Sequence, residues 1–408
     1  MTFPTNKCHD ATLTEFTQEK TPPMGMRWSV FIVGAGLLCI GSWIDNLRGP
    51  ILPTLAQLYQ LDYGSTAIMV SVGNLVAMAS TWLLMPLLNR WSIRQVGVSV
   101  LIYTCIVSGA TVLVKTPIHL YIWGAMIGGA ISTMGSLSNI FVQSSCDARR
   151  RGQIMSALHS LYGLSSLFAP WVAGLVLTKP ERWPILFASM APITILLAFF
   201  TRCLPLQSSS DSHGNVKSVA QPMSIGPIHT LTILVLVAYV LGEVLISTWM
   251  TSFLIETHKL TIKEASVYTS LFFAVMLVTR IACSIFARPP HHRLLLKVSL
   301  LASLTCFIGA QTTGWLWLLP LAGLLGPFFP LYVTWVGLRF PERDRSLVLW
   351  MLSMMQASLA FMNYVMGAFA DWWGFKIAYL TPAVMLFLGL ILLKILELWD
   401  FDHPRQNA

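Results

Sequence analysis

Charge is what this chain has least of. Only 11% of its 408 residues are Asp, Glu, Lys or Arg, against about 25% in an ordinary soluble domain. With 55% hydrophobic residues and a mean hydropathy of +0.68, too little polar surface is left to face water on every side. A soluble protein is excluded, and an integral membrane protein remains. Signature motifs are missing too. There is no phosphate-cradling P-loop, no HExxH and no GxSxG, and the seven cysteines (8, 39, 105, 146, 203, 283, 306) form no CxxC pair. These absences argue against a nucleotide-driven pump, a metal or serine hydrolase, and a disulfide or zinc framework. No enzyme activity, cofactor or metal is expected. The first 27 residues are polar, with Lys7, Asp10, Glu15, Glu19, Lys20 and Pro22-Pro23. They lack the short apolar core of a cleaved signal peptide, so none is expected. The net charge of +9 raises the question of nucleic acid. The basic residues sit in short segments between apolar runs, however, where they set topology, and no nucleic-acid partner is expected.

What the chain does have is long apolar runs. A helical span needs about 20 apolar residues. Breaks at charges and Pro/Gly clusters divide the sequence into twelve spans, near 28–57, 66–88, 95–114, 118–144, 153–177, 183–203, 229–256, 265–287, 293–313, 315–338, 346–369 and 377–399. The predicted fold class is all-α integral membrane, with twelve helices in two pseudo-symmetric six-helix bundles, 28–203 and 229–400. A Ser/Gly/Pro-rich linker, 204–228, joins them. Segments 1–27 and 401–408 read as tails. If the N-terminus is cytoplasmic, 18 of the 26 Lys and Arg residues fall in inner segments and six in outer ones, with Arg48 and Arg280 inside spans. That bias places both termini in the cytoplasm of a cell that carries the chain in its plasma membrane. Two six-helix halves and almost no chain outside the bilayer fit a repeat-built secondary transporter rather than a receptor. A monomer suffices for that mechanism.

The loop after span 2, "MPLLNRWSIR" (85–94), resembles the Gly-x-Leu-x-Asp-Arg-x-Gly-Arg motif of the major facilitator superfamily. Leu87 and Arg90 match, while Met85, Asn89 and Ser92 replace the first Gly, the Asp and the second Gly. The loops "CDARRRGQ" (146–153) and "RFPERDRS" (339–346) are similar to the family's basic inner loops, and "GAFADWWG" (367–374) to its exit from span 11. The resemblance assigns conformational roles to Asn89, Arg90, Arg94, Arg150, Arg343 and Asp371, although Asn89 cannot make the family's ion pair to span 11. Three further stretches look like the fucose/glucose/galactose-type sugar permeases: "DNLRGPILP" (45–53), "LHSLYGLSSLFAP" (158–170) and "YVLGEVLISTW" (239–249). The family implies a central cavity lined by spans 1, 4, 7 and 10.

Ionisable residues within spans are the candidates for chemistry. A charge in hydrocarbon costs at least about 2.5–3.5 kcal/mol on insertion scales, so it must border water or a partner. Asp45 lies about 17 residues into span 1, roughly 26 Å along the helix, and Arg48 is one turn on, where the two can pair. Gly49-Pro50 is expected to loosen the helix there. Glu243 is the counterpart on span 7. With no cation within a turn on its own helix it is the better proton site, and Asp45–Arg48 the better substrate or gating site. Arg280 on span 8 overturns that assignment if it pairs with Glu243 rather than snorkelling to the membrane surface.

Amides both donate and accept, which suits hydroxylated cargo. Asn139 and Gln143 share a face of span 4, Gln356 and Asn363 a face of span 11, and Asn74 lies on span 2. The alternative for each is an interhelical hydrogen bond. His159 is a second titrating group, an inner gate or a hydrogen-bonded structural histidine. Tyr239, Trp249, Phe329 and Trp335 stack on a sugar ring or serve packing. The expected partners are thus a small-molecule substrate, protons or another coupling ion, and the lipid bilayer. Three functions stay open: proton-coupled symport of a sugar-like solute, export of an amphipathic metabolite, drug or siderophore, and a non-transporting sensor.

Overall fold

In a bilayer every backbone N–H and C=O must be bonded within the protein, so apolar runs of this length cross as helices. The computed structural model describes residues 26–146, 151–204, 226–286, 292–340 and 344–402, and no strand occurs among them. Span 1 is Trp28–Tyr59, span 2 Tyr63–Arg90, span 3 Ile93–Gly109 extended by the 3₁₀ turn Ala110–Leu113, span 4 Pro117–Ser144 and span 5 Arg151–Val176. Span 6 joins Trp183–Ala188 to Met190–Arg202; span 7 is Pro227–His258, span 8 Ile262–Phe286 and span 9 His292–Thr313. Span 10 is broken into Leu318–Leu321, the turn Ala322–Leu325 and Phe328–Arg339. Span 11 is Asp344–Trp373, and span 12 is Thr381–Asp402 after the short helix Phe375–Ala378.

Eleven of the described helical segments are long and apolar enough to cross a membrane. Span 5 is the one pass that falls outside that set, because His159, Ser160, Tyr162, Ser165 and Ser166 dilute its apolar character. Two of them, Tyr162 and Ser166, reach the candidate site described below. The helix ends follow local chemistry. Asp62 accepts the Ser65 N–H at the start of span 2, Ser92 and Gln95 cap span 3 reciprocally, and Thr116 caps span 4 ahead of Pro117. Spans 1 and 7 both run 32 residues and both end on a left-handed residue, Gln60 (φ 51°) and Lys259 (φ 55°). Most of the predicted linker, the two tails, and Arg150 and Arg343 lie outside the described residues.

We call the side where span 1 begins the near face and the side where it ends the far face. In the first half span 1 packs on spans 4 and 5, span 2 on span 4, and span 3 on span 6. In the second half span 7 packs on spans 11 and 12, span 8 on span 10, and span 9 on spans 10 and 12. The halves meet where span 2 runs along span 11, span 5 along span 8, and span 1 against span 7. Exposed apolar side chains such as Ile106, Leu113, Leu196, Phe199, Val278 and Phe361 form the lipid-facing surface. Exposed tryptophans mark span ends, among them Trp28, Trp91, Trp315 and Trp372, as expected for interfacial anchors.

Candidate functional site

Asp45 and Glu243 lie midway along two helices of equal length, one in each half. Each is held by an arginine. The Asp45 carboxylate is in direct contact with the Arg48 guanidinium on the same helix, and Arg48 Nη1 also donates to Asn74 Oδ1 of span 2 at 3.3 Å. Glu243 Oε1 lies 3.6 Å from Arg280 Nη2 of span 8, and its other oxygen accepts the Tyr239 hydroxyl one turn back. Arg280 therefore pairs across helices and does not snorkel, and the sequence-based ground for preferring Glu243 as the proton site, the want of a nearby cation, does not hold. Side-chain exposure is 26% for Asp45, 14% for Arg48, 17% for Glu243 and 16% for Arg280. None of the four side chains is fully enclosed by protein.

Backbone chemistry explains why Arg280 sits where it does. In a continuous helix the Gly326 carbonyl would accept the N–H of residue 330, but that residue is Pro330, which has none. Span 10 breaks just before this point, and Gly326 O accepts Arg280 Nε–H at 2.9 Å. A broken helix thus supplies a carbonyl to an interior cation, as discontinuous transporter helices do. The signal was present in "LLGPFFP" (324–330).

Tyr162 of span 5 stands between the two pairs. Its hydroxyl donates to Asp45 Oδ2 at 3.4 Å, and it lies in the electrostatic field of Asp45, Glu243 and Arg280 together. Beside it, Ser42 and Asn46 of span 1 meet Ser166 of span 5: Asn46 Nδ2 donates to Ser166 Oγ at 2.9 Å and to Ser42 O at 2.8 Å, and the two serine hydroxyls are 3.0 Å apart. These polar residues were not among the predicted site residues. Their signal was the i, i+4 spacing of Ser42 with Asn46 and of Tyr162 with Ser166, each pair on one helix face.

Several expectations need correction. The Gly49-Pro50 pair does not break span 1, which runs unbroken through Pro50 and Pro53. Gly49 serves a different end: a Cβ there would lie 2.8 Å from Thr248 O of span 7, so glycine permits spans 1 and 7 to cross closely. The Tyr239 and Trp249 rings are fully buried and unavailable to a sugar. Tyr239 stacks on Phe328 (4.3 Å, 21°), and Trp249 donates to Asn363 Oδ1 at 3.1 Å. Asn363 is likewise buried, spending its amide on Trp249 and on Leu359 O, so it acts as interhelical packing rather than a cargo contact. His159 lies part-buried in the field of Arg280.

Other candidates are placed but not joined to the centre. Asn139 is part-buried with no partner for its Oδ1 among the described residues, and a Cβ at Gly135, one turn away, would meet nothing within 4 Å. Gln143 is exposed at the near end of span 4, Gln356 is part-buried, and Trp335 packs on Tyr332 near the end of span 10. Asn89 and Arg90 are exposed on the near face, while Arg94 donates to Leu204 O at 3.3 Å. Asp371 lies at the far end of span 11 and accepts the N–H groups of Tyr63 (2.9 Å) and Gly64 (2.6 Å) across the two halves. Among the described residues no cluster of three or more His, Cys, Asp or Glu could hold a metal ion.

This architecture has known counterparts. Residues 31–326 match the profile of the Major Facilitator Superfamily. Among solved structures, the nucleoside transporter NupG superposes with a TM-score of 0.70 at 16% identity, covering 90% of this chain and 99% of that one. The E. coli xylose transporter XylE gives 0.69 at 12% identity (93% and 99%), and the E. coli fucose:proton symporter FucP 0.63 at 15% (90% and 98%). No curated protein matches the chain in sequence. The twelve-span, two-half fold and the family match together make this chain a multi-pass membrane transporter belonging to the Major Facilitator Superfamily.

Proposed function

We propose that the protein is a proton-coupled symporter of a small polyhydroxylated solute, working by alternating access with its near face in the cytoplasm. The observation that carries this is the double pair: one acid and one arginine from each half, at matching depth, part-exposed, with Tyr162 between them. Four charges that sum to zero admit a neutral cargo without stranding an ion, and the neighbouring hydroxyls and amides of Ser42, Asn46, Asn74 and Tyr162 supply donors and acceptors for a sugar-like ligand. The solved relatives named for nucleoside, xylose and fucose transport are consistent with cargo of this chemistry.

Roles divide by geometry. Asp45 and Arg48 lie on one helix and travel together, which suits a fixed contact for substrate hydroxyls. Glu243 and Arg280 lie on different helices at 3.6 Å. The nearby cation removes the sequence-based ground for Glu243 as the proton site, but a different one takes its place: a small shift between spans 7 and 8 separates the pair and leaves Glu243 free to take a proton, the role proposed for it here. By sequence position 18 Lys and Arg residues fall in near-face segments and six in far-face ones, which supports a cytoplasmic near face.

The test begins with a thermal-stability screen of pentoses, hexoses and nucleosides. A true cargo at 100 times its Kd stabilises by about 2.7 kcal/mol. The best stabiliser is then offered to proteoliposomes under an acid-outside gradient. Accumulation that collapses with a protonophore supports symport. Outward flux, or saturable binding with no flux, overturns it.

A further inference from the structure

The far face carries a contact that the central site does not need. Tyr63 and Gly64 open span 2, in the first half, and their N–H groups are orphan donors of a helix N-terminus. Asp62 caps only Ser65 N–H. The other two are taken by both oxygens of Asp371, which comes from the second half at the end of span 11. The Tyr63 hydroxyl donates to Glu256 Oε1 of span 7 at 2.7 Å, and its ring stands edge-on to Phe375 (4.7 Å) and Trp249 (6.3 Å). Span 11 comes close enough because position 367 is glycine: a Cβ there would lie 2.9 Å from the Ala67 Cβ and as close to the Tyr63 backbone. One residue of the first half is thus plugged into three elements of the second, and two carboxylates hold it.

We propose that Tyr63, Asp371 and Glu256 form a latch between the halves that holds the far mouth shut. An ionised Asp371 meets two N–H donors at the positive end of a helix, the arrangement most favourable to an anion. The Tyr63 hydroxyl bond to Glu256 adds a second attachment, to span 7. The latch stands on these contacts alone, whichever compartment the far face meets.

Spin labels at Gln57→Cys and Ile377→Cys, in a chain whose native cysteines are replaced by alanine, report the distance between the halves at the far face in lipid nanodiscs. At pH 7.5 the unmodified latch gives a predominantly short distance. Asp371→Asn is expected to raise the long-to-short ratio on the order of tenfold, and Tyr63→Phe to raise it less. An Asp371→Asn distribution identical to that of the intact latch overturns the proposal. Should Asp371→Asn fail to give monodisperse protein, Tyr63→Phe decides alone: a shift toward the long distance supports the latch, and an unchanged distribution overturns it.

Discussion

The two acid–arginine pairs sit at the same depth in matching helices, yet they are built differently. Asp45 finds its cation one turn away on span 1, and Arg48 has a second acceptor in Asn74. Glu243 depends on a cation from another helix, and that cation depends on a carbonyl released by the break in span 10. Pseudo-symmetric halves thus hold one pair within a helix, the permanent pair of the proposed mechanism, and one between helices, its conditional pair. A carrier needs both kinds of group: a contact that persists while cargo is bound, and an ionisable group whose partner leaves when the helices move.

Breaking the conditional pair from its cationic side has the largest expected effect. Arg280→Gln leaves Glu243 charged and unpaired in the interior, which costs about 3–5 kcal/mol, read as a large fall in the thermal midpoint at neutral pH. The double variant Glu243→Gln/Arg280→Gln recovers most of that stability, because no lone charge remains. A double variant as unstable as the single one would show that the pair is not what ties spans 7 and 8 together.

The permanent pair is expected to tolerate loss of its acid better. In Asp45→Asn, Arg48 keeps Asn74 and the Asp45 backbone carbonyl at 3.4 Å, so the cost falls to about 1–3 kcal/mol. Cargo affinity drops while the pH profile of transport keeps its shape. If the profile changes as well, the division of roles between the two acids is wrong.

How much of this was legible in the sequence follows from the same contrast. The spans, the halves and the two acids were readable because apolar length and an isolated charge in hydrocarbon are local signals. The Asp45–Arg48 pair was readable because i, i+3 is a local spacing. The Glu243–Arg280 pair stayed open, since nothing local sets the rotation of span 8 toward span 7. Asn363 and Trp249 were candidates for cargo because a polar group on a helix does not say whether a neighbouring helix will use it. Gly49-Pro50 read as a break, but a helix packed on all sides keeps its course through proline and uses glycine for close approach. The Tyr63–Asp371 contact, joining residues 308 positions apart, had no sequence signal beyond an acid at the end of a span.

Two smaller changes sharpen the picture. Tyr162→Phe removes the hydroxyl that reaches Asp45 and is expected to cost about 1 kcal/mol in cargo binding, measured by calorimetry, with the fold unchanged. Asp62→Ala, at the far face and away from the site, is expected to cost about 1 kcal/mol of stability through the lost helix cap. The Ser65 hydroxyl and N–H hold the Asp62 carboxyl below its ordinary value. The cap's contribution is therefore complete at neutral pH and fades only as pH falls below the usual carboxylate range. Loss of that contribution nearer neutrality would contradict the assignment.

The most direct test is proton flux measured beside cargo flux in proteoliposomes carrying Glu243→Gln. The account predicts that cargo exchange across the membrane at equal concentrations persists, while external alkalinisation and accumulation against a gradient both disappear. Uphill, pH-driven uptake that survives this substitution would contradict it.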